Sequence, residues 1–129
     1  MVGRHETTLR QTVELAPDHD ADRWLLLTCD VGAPQAVERM AAQVRERWGT
    51  PEVLVNAAGT NVPQRSLEVL APADYHQLLN TNLNGAYYCV QAFLPQMRAR
   101  RSGTIINIVS EAGKLASPKA GPANVMSKF

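Results

Sequence analysis

Short apolar runs alternate with segments of helical periodicity along the chain, and this alternation constrains the fold more than any other feature. The apolar runs, each ending in small or polar residues as buried strands do, are RWLLLTCDV (23–31), PEVLVNAAG (51–59) and SGTIINIVS (102–110). Apolar residues at helical spacing occupy residues 6–15, 33–49 and 73–98. Strands that alternate with helices predict an α/β fold with a parallel sheet that helices cover on both faces.

Composition excludes several classes of function. The chain of 129 residues is of single-domain size, and its 13 basic and 12 acidic residues leave a charge of +1, too little to attract nucleic acid or a lipid surface. The densest basic cluster, residues 98–102, is predicted to be a solvated helix end. No apolar run approaches the length of a membrane span, and the first residues lack the apolar segment of a signal peptide. Cys29 and Cys89 form neither a metal-binding spacing nor a disulfide framework, so we expect a cytoplasmic protein without a metal.

Polar or small residues follow each predicted strand. They are Asp30, the turn at 56–59 and Ser110. Because ligands of open parallel sheets bind beyond the carboxyl ends of the strands, we expect these residues at one ligand-binding edge.

The sequence resembles the short-chain dehydrogenase/reductase family of nicotinamide-dependent oxidoreductases. The residues that carry the resemblance occur in the order of the family: CDV (29–31), VNAAG (55–59), NTNLNG (80–85), GTIINIVS (103–110) and the SK of residues 127–128. The resemblance implies a Rossmann-like doubly wound sheet, an NAD or NADP cofactor and a small alcohol or carbonyl substrate. It also implies a possible homo-oligomer that forms through the helix at 73–98.

The resemblance assigns cofactor contacts to particular residues. Asp30 would accept a hydrogen bond from the adenine amino group and Val31 would pack on the ring; the alternative for Asp30 is a cap of the following helix, and the two roles are compatible. In the turn, Asn56 would brace neighbouring strands. The small residues that let the backbone approach the ribose of the cofactor would be Ala57, Ala58 and Gly59. Lys128 would bind the nicotinamide ribose; outside the family context it is a surface lysine.

The catalytic positions depart from the family at one residue. By resemblance Asn82 bends its helix and holds a relay water, Ser110 binds the substrate oxygen, and Lys128 lowers the pKa of a tyrosine. The tyrosine position holds Asn124, four residues before Lys128, a spacing that puts both side chains on one face of a helix. A carboxamide can be neither acid nor base, so we predict little or no turnover by this chain. The loop from Ser110 to Asn124 is one residue longer than is usual, which leaves the position of the serine open.

Both ends also depart from the family pattern. The TGxxxGxG loop that cradles the pyrophosphate is absent, and the chain begins at the last residues of the second strand of the family. Gly3 occupies the place of an acid that would bind the ribose 2′-hydroxyl, and Arg4 suits a 2′-phosphate, which favours NADP over NAD unless Arg4 is only an exposed loop residue. The later strands and the substrate loop are absent too, so the sequence predicts one incomplete Rossmann-like domain over residues 1–129.

The missing first strand is central in the family order 3-2-1-4-5-6. Either the strand at 24–29 pairs directly with the strand at 52–56, or a gap leaves backbone groups unpaired, at about 1–3 kcal/mol each. We therefore expect an isolated chain that is unstable, partly molten or dependent on a partner strand. A sharp cooperative melt of the monomer would contradict this expectation.

Three functions remain open from the sequence. The chain is an incomplete or mutated oxidoreductase of the family, a binding or interaction module that has lost catalysis, or a gene fragment without a function of its own. Ancestry favours the first, whereas for the activity of this chain we favour the third. Turnover with cofactor, capture of a partner without turnover, or neither would separate them.

Overall fold

The computed structural model describes residues 1–17, 20–114 and 119–128, which form an α/β fold. Its elements in chain order are β1 (Val2–Gly3), α1 (Glu6–Glu14), a 3-10 turn (Ala21–Arg23), β2 (Leu27–Thr28), α2 (Pro34–Trp48), β3 (Val53–Asn56), α3 (Pro72–Leu79), a π-helical turn (Asn80–Asn84), α4 (Gly85–Ala99), β4 (Thr104–Asn107), α5 (Glu111–Lys114) and α6 (Pro122–Ser127). The alternation of strands and helices that the sequence predicts is confirmed.

The strands of the described residues form two separate parallel pairs rather than one sheet. β1 pairs with β2, and β3 pairs with β4 along its whole length. Because no ladder joins the two pairs, the structure has the gap and not the direct pairing of β2 with β3. The predicted strand at 24–29 is reduced to Leu27–Thr28, since β1, its ladder partner among the described residues, is two residues long.

The main core lies between α2, α4 and the inner side of the strands. Its buried members are Leu27, Cys29, Val37, Met40, Ala41, Cys89, Phe93 and Met97. Leu54 and Ile105 pack against this cluster from β3 and β4. On the opposite face Val53 and Val55 are 51% and 53% exposed, so the expectation of a sheet covered on both faces is wrong for these residues. In a strand alternate side chains point to opposite faces, and the helices that the structure describes cover only one face of this pair.

The helix predicted at 73–98 spans α3, the π-helical turn and α4, from Pro72 to Ala99. At the centre of the interruption is Asn82, which is buried, and the Gly85 N–H donates to the Asn80 carbonyl five residues back. Single π-turns of this kind are rare and often occur at functional sites. The π-helical turn changes the directions of the side chains of residues 80–84 from those they would have in a regular α-helix.

Arg100, in the basic cluster at 98–102, makes hydrogen bonds that the sequence did not predict. Its exposed guanidinium donates hydrogen bonds to the carbonyl oxygens of Thr50 (2.7 Å), Pro51 (2.6 Å) and Ser102 (2.8 Å). These carbonyls lie just before β3 and β4. One side chain therefore joins the starts of both strands to the end of α4.

The last helix begins where Gly121 approaches the loop before α3. Gly121 has φ of 80°, and a Cβ there would lie 2.5 Å from the Arg65 carbonyl oxygen, so no other residue fits. Pro122 follows as the first residue of α6. In the described ranges, no helix is both long enough and apolar enough to cross a membrane.

Candidate functional site

The side chain of Asn82 holds the centre of the candidate site together. Its Oδ1 accepts a hydrogen bond from the Thr60 N–H (2.7 Å), and its Nδ2 donates to the Thr60 carbonyl (3.0 Å) and to Ser127 Oγ (3.1 Å). The Oδ1 of Asn124 lies 3.5 Å from the same Nδ2, beyond the usual range of such bonds. Both amide hydrogens of Asn82 are thus used inside the protein, and its role with a relay water stays a prediction.

Lys128 lies against the small-residue turn that follows β3. Its Nζ donates to the Ala58 carbonyl at 3.4 Å, and a Cβ added to Gly59 would lie 2.7 Å from that nitrogen. The lysine is half-buried rather than in open solvent. α6 ends at Ser127, however, and Lys128 has the non-helical φ of −121°. The expectation that Asn124 and Lys128 share one helix face is therefore wrong, because the helix stops before the lysine.

Ser127 is a site residue that sequence reasoning missed. It is buried, accepts from Asn82 and donates through Oγ to the Asn124 carbonyl at 3.2 Å. A serine in a helix commonly bonds a carbonyl three or four residues back, so its position three residues after Asn124 was the available signal. Its partner Asn82, distant in sequence, gives no such local signal.

Ser110 belongs to a local cap and is not joined to the lysine. Its Oγ accepts from the Ala112 N–H (3.2 Å), and its carbonyl accepts from the Gly113 N–H (3.0 Å), which starts α5. Among the described residues no hydrogen bond links Ser110 to Asn124 or Lys128. The structure therefore brings Asn82, Asn124 and Lys128 together around one turn, and Ser110 stands apart from their hydrogen bonds.

The residues assigned to adenine and to the 2′-position lie at the carboxyl ends of β1 and β2. In the β1–β2 pair Gly3 lies opposite Thr28. The exposed residues Arg4 and Asp30 therefore follow neighbouring strands at the same edge of this pair. The Oδ1 of Asp30 accepts from the Gly32 N–H at 2.9 Å, an Asx turn that precedes α2. Ala33 is the N-cap of α2 and no side chain caps it, so the alternative of Asp30 as the cap of that helix is wrong. The Asx turn uses one carboxylate oxygen of Asp30 and not the other.

Val31 and the turn after β3 complete the edge. A Cβ added to Gly85 would lie 2.7 Å from Val31 Cγ2, so Val31 packs closely on the start of α4. Asn56 donates through Nδ2 to Asn107 Oδ1 at 2.9 Å, across the β3–β4 pair. Ala57, Ala58 and Gly59 are exposed. Ring packing by Val31 and ribose contact by the turn stay predictions.

The two thiols beside this edge are unsuited to nucleophilic chemistry. Burial, and secondarily Cys29, raises the pKa of Cys89 to about 11. Burial and the charge of Asp30 raise the pKa of Cys29 against an opposing effect of Arg39. Both therefore stay protonated at neutral pH and serve as core residues. Within the described ranges no three His, Cys, Asp or Glu side chains are grouped so that they could hold a metal ion.

Comparisons with known proteins agree with this arrangement. A family model described as short chain dehydrogenase matches residues 1–127. The chain is 30% identical over 116 residues to an NADPH-dependent pterin aldehyde reductase of Arabidopsis thaliana, covering 90% of this chain and 46% of that protein. It is 32% identical over 127 residues to a 3beta-hydroxysteroid dehydrogenase of Mediterraneibacter gnavus, covering 98% of this chain and 45% of that protein.

A solved metagenomic short-chain oxidoreductase in complex with NADP superposes with a TM-score of 0.85 at 32% identity, over 98% of this chain and 57% of that one. The chain thus spans about half the length of the curated relatives it matches. The match of the family model over nearly all of the sequence shows that this chain belongs to the short-chain dehydrogenase/reductase family.

Proposed function

We propose that this chain forms part of one incomplete dinucleotide-binding domain of an oxidoreductase, and that the chain by itself transfers no hydride. The observation that carries the proposal is the contact of the Lys128 ammonium with the turn at Ala58 and Gly59, beside the buried Asn82. The position that should carry a phenol next to this lysine holds the carboxamide of Asn124.

The missing phenol would remove the proton step of the reaction. Hydride transfer between nicotinamide and a carbonyl carbon leaves an oxygen that must gain a proton, and the reverse reaction must remove one. A nearby ammonium can lower the pKa of a tyrosine toward neutrality, but it has no comparable effect on a carboxamide. In this proposal Lys128 binds the nicotinamide ribose, Asn82 positions the turn, Ser110 binds the substrate oxygen, and no residue supplies the proton.

Restoring the tyrosine tests this proposal. The chain would be joined to the glycine-rich loop and the C-terminal half of a structurally similar family member, with Asn124 or with Asn124→Tyr. We expect the tyrosine chimera to exceed the asparagine chimera in kcat by about 100-fold or more, the usual contribution of a positioned acid. The matched control is Asn124→Phe, which has the ring without the hydroxyl. Equal rates for all three chimeras would overturn the proposal.

For the cofactor we propose a preference for NADP over NAD. Exposed Arg4 follows β1, and Gly3 before it carries no acidic side chain to bind a ribose 2′-hydroxyl. The NADPH-dependent relative and the neighbour solved with NADP agree with this preference. Arg4→Ala should weaken binding of adenosine 2′,5′-bisphosphate more than that of AMP, measured by NMR titration. An equal effect on both ligands would remove the support for NADP.

A second candidate is an interaction module, favoured by the exposed apolar residues. Leu83 and Tyr87 on the 73–98 helix are exposed, as are Val53 and Val55 on the outer face of β3. Sedimentation velocity of the purified chain would detect self-association. Tyr87→Lys should abolish self-association if the helix forms the contact, and Val55→Lys should abolish it if the outer face of β3 forms the contact.

The cytoplasmic location stays a prediction.

A further inference from the structure

A groove with a volume of about 430 Å³ lies on the outside of the molecule, between α2 and α4. Its lining runs from Pro34 to Arg45 on α2 and from Tyr88 to Gln96 on α4, so the groove follows both helices for about two to three turns. The volume lies within the range of small-molecule sites, about 300–1,000 Å³. None of the described residues that line it is assigned to the cofactor or the substrate, so the cofactor-binding edge does not account for this groove.

The floor of the groove is apolar, and a guanidinium is held at one end. Val37 and Ala41 form part of the lining and are 1% and 0% exposed. Arg45 is half-buried, and its Nη1 donates to the Ala92 carbonyl at 3.2 Å. This bond holds the guanidinium against the groove without using Nε or Nη2. These two nitrogens form one side of the planar fork, which suits the two oxygens of a carboxylate.

A carboxylate lines the same groove at a distance from this guanidinium. Glu38 stands two helical turns before Arg45, which is about 10 Å along α2 by the rise of an α-helix. It is exposed and makes no ion pair with a described side chain. Attraction between exposed charges at this separation is largely screened, so the two groups do not neutralise each other. The groove therefore has a cation and an anion two turns apart, with buried Ala41 between them.

We propose that this groove binds a linear ω-amino carboxylate, in which an apolar chain of about 10 Å separates a carboxylate from an ammonium group. The carboxylate accepts hydrogen bonds from Nε and Nη2 of Arg45, and the ammonium lies against Glu38. The apolar chain between them covers Ala41. This site is independent of the proposed hydride transfer, because no cofactor takes part in it.

The test is an NMR titration of the full chain with 8-aminooctanoate, whose extended chain matches the spacing of the two charges. The backbone amide signals of Ala41 and Ala92 should shift, and those of the turn at 56–59 should not. The compound 4-aminobutyrate is too short to reach both charges, whereas octanoate and octylamine each lack one charge. Each of these three ligands should therefore bind more weakly than 8-aminooctanoate, by about threefold or more.

Two variants assign the two ends of the ligand. Arg45→Gln should weaken binding of 8-aminooctanoate by about tenfold, because charge-assisted hydrogen bonds are lost, and should leave octylamine binding unchanged. Glu38→Gln should weaken 8-aminooctanoate by about threefold, since this carboxylate is exposed, and should leave octanoate binding unchanged. The matched controls are Arg47→Gln and Glu46→Gln, which are on α2 but outside the lining of the groove and should alter neither affinity.

Several outcomes would overturn this inference. They are the absence of shifts at Ala41 and Ala92, equal affinity for 8-aminooctanoate, 4-aminobutyrate and octanoate, and a loss in the control variants as large as that in Arg45→Gln and Glu38→Gln. If Arg45→Gln does not fold because the bond to the Ala92 carbonyl is lost, Glu38→Gln and the comparison of chain lengths decide. None of these results alters the rates of the Asn124→Tyr chimera, so failure of this site is distinguished from failure of the proposed function.

Discussion

The α2–α4 side of the molecule and the turn around Asn82 are held by different kinds of contact. The first has the main apolar core, in which Val37 and Phe93 are nearly inaccessible. The second has a small cluster of Val62, Leu78 and Ala123, and its position depends on the hydrogen bonds of one buried carboxamide. An apolar core keeps its packing when one polar contact is lost. The arrangement of a hydrogen-bonded centre, in contrast, is lost when the one side chain that makes its bonds is removed. We therefore expect stability and site geometry to be separable by mutation.

The largest effect should come from truncating the main core. Phe93→Ala removes a ring that is 3% exposed, and such truncations cost about 3–5 kcal/mol. Whole domains are stable by only about 5–15 kcal/mol, and we expect this chain to lie at or below the low end because of the gap between its strand pairs, so this variant should lose most of its helical circular dichroism at low urea concentration. Tyr87→Ala on the same helix is the control, since that side chain is 59% exposed and should shift the urea midpoint little. Similar midpoints for both variants would show that the α2–α4 core does not dominate stability.

High pH should weaken the same core through Cys89. The folded-state pKa of Cys89 is raised from 9.0 to about 11 by burial, so the thiol contributes its full stabilisation below about pH 9. Between these values the unfolded chain loses the proton first, so stability should fall as pH rises. Urea midpoints at pH 8.5 and 10.5 measure this loss. Cys89→Ala removes this thiol and should reduce the pH dependence, leaving the part due to Cys29, whose pKa is also raised, and an unchanged slope would contradict the assignment to Cys89.

A smaller and more local effect should follow from Asn82→Ala. The substitution leaves the Thr60 N–H and carbonyl without their partner, at a cost of about 1–3 kcal/mol. Hydrogen exchange should accelerate at Thr60 and in α6, while α2 keeps its protection. The matched control is Asn84→Ala on the same π-helical turn, whose amide bonds only Asn80 among the described side chains. If Asn82→Ala loosens α2 as much as α6, the two sides form one cooperative unit and the comparison fails.

Local patterns in the sequence were sufficient to predict α1, α2, the 73–98 helix and the order of the strands along the chain, whereas α5 lies in the segment after Ser110 that was interpreted as a loop. α2 was predicted from its apolar period, and the 73–98 helix was predicted within one residue at each end. The number of residues over which the strands pair could not be predicted from these local patterns. β2 is short because its partner is short, and the face with Val53 is open because no described helix packs there. These facts depend on contacts between distant segments, which no local period records.

The candidate site divides in the same way. Contact between Lys128 and the turn at Ala58 was foreseeable only through the family resemblance, since a lysine near a helix end is ordinarily exposed. The departure of Lys128 from the helix was missed because α6 begins at Pro122 and ends after six residues. Ser127 and Arg100 were missed because the partners that give them a role, such as Asn82 and the Thr50 carbonyl, are distant in sequence.

The smallest loss of stability should come from Asn124→Ala, and a small loss tells whether this position can change without disturbing Asn82. The carboxamide oxygen of Asn124 lies 3.5 Å from Asn82 Nδ2, whose two hydrogens already have nearer acceptors. Its removal should therefore cost below about 0.5 kcal/mol and leave the Asn82 side-chain amide signals in place. A loss as large as that of Asn82→Ala would mean that Asn124 holds the turn and that a tyrosine there would disturb it. A negligible loss would mean that the position can accept a phenol while Asn82 keeps its own bonds, which is the condition that the Asn124→Tyr chimera requires.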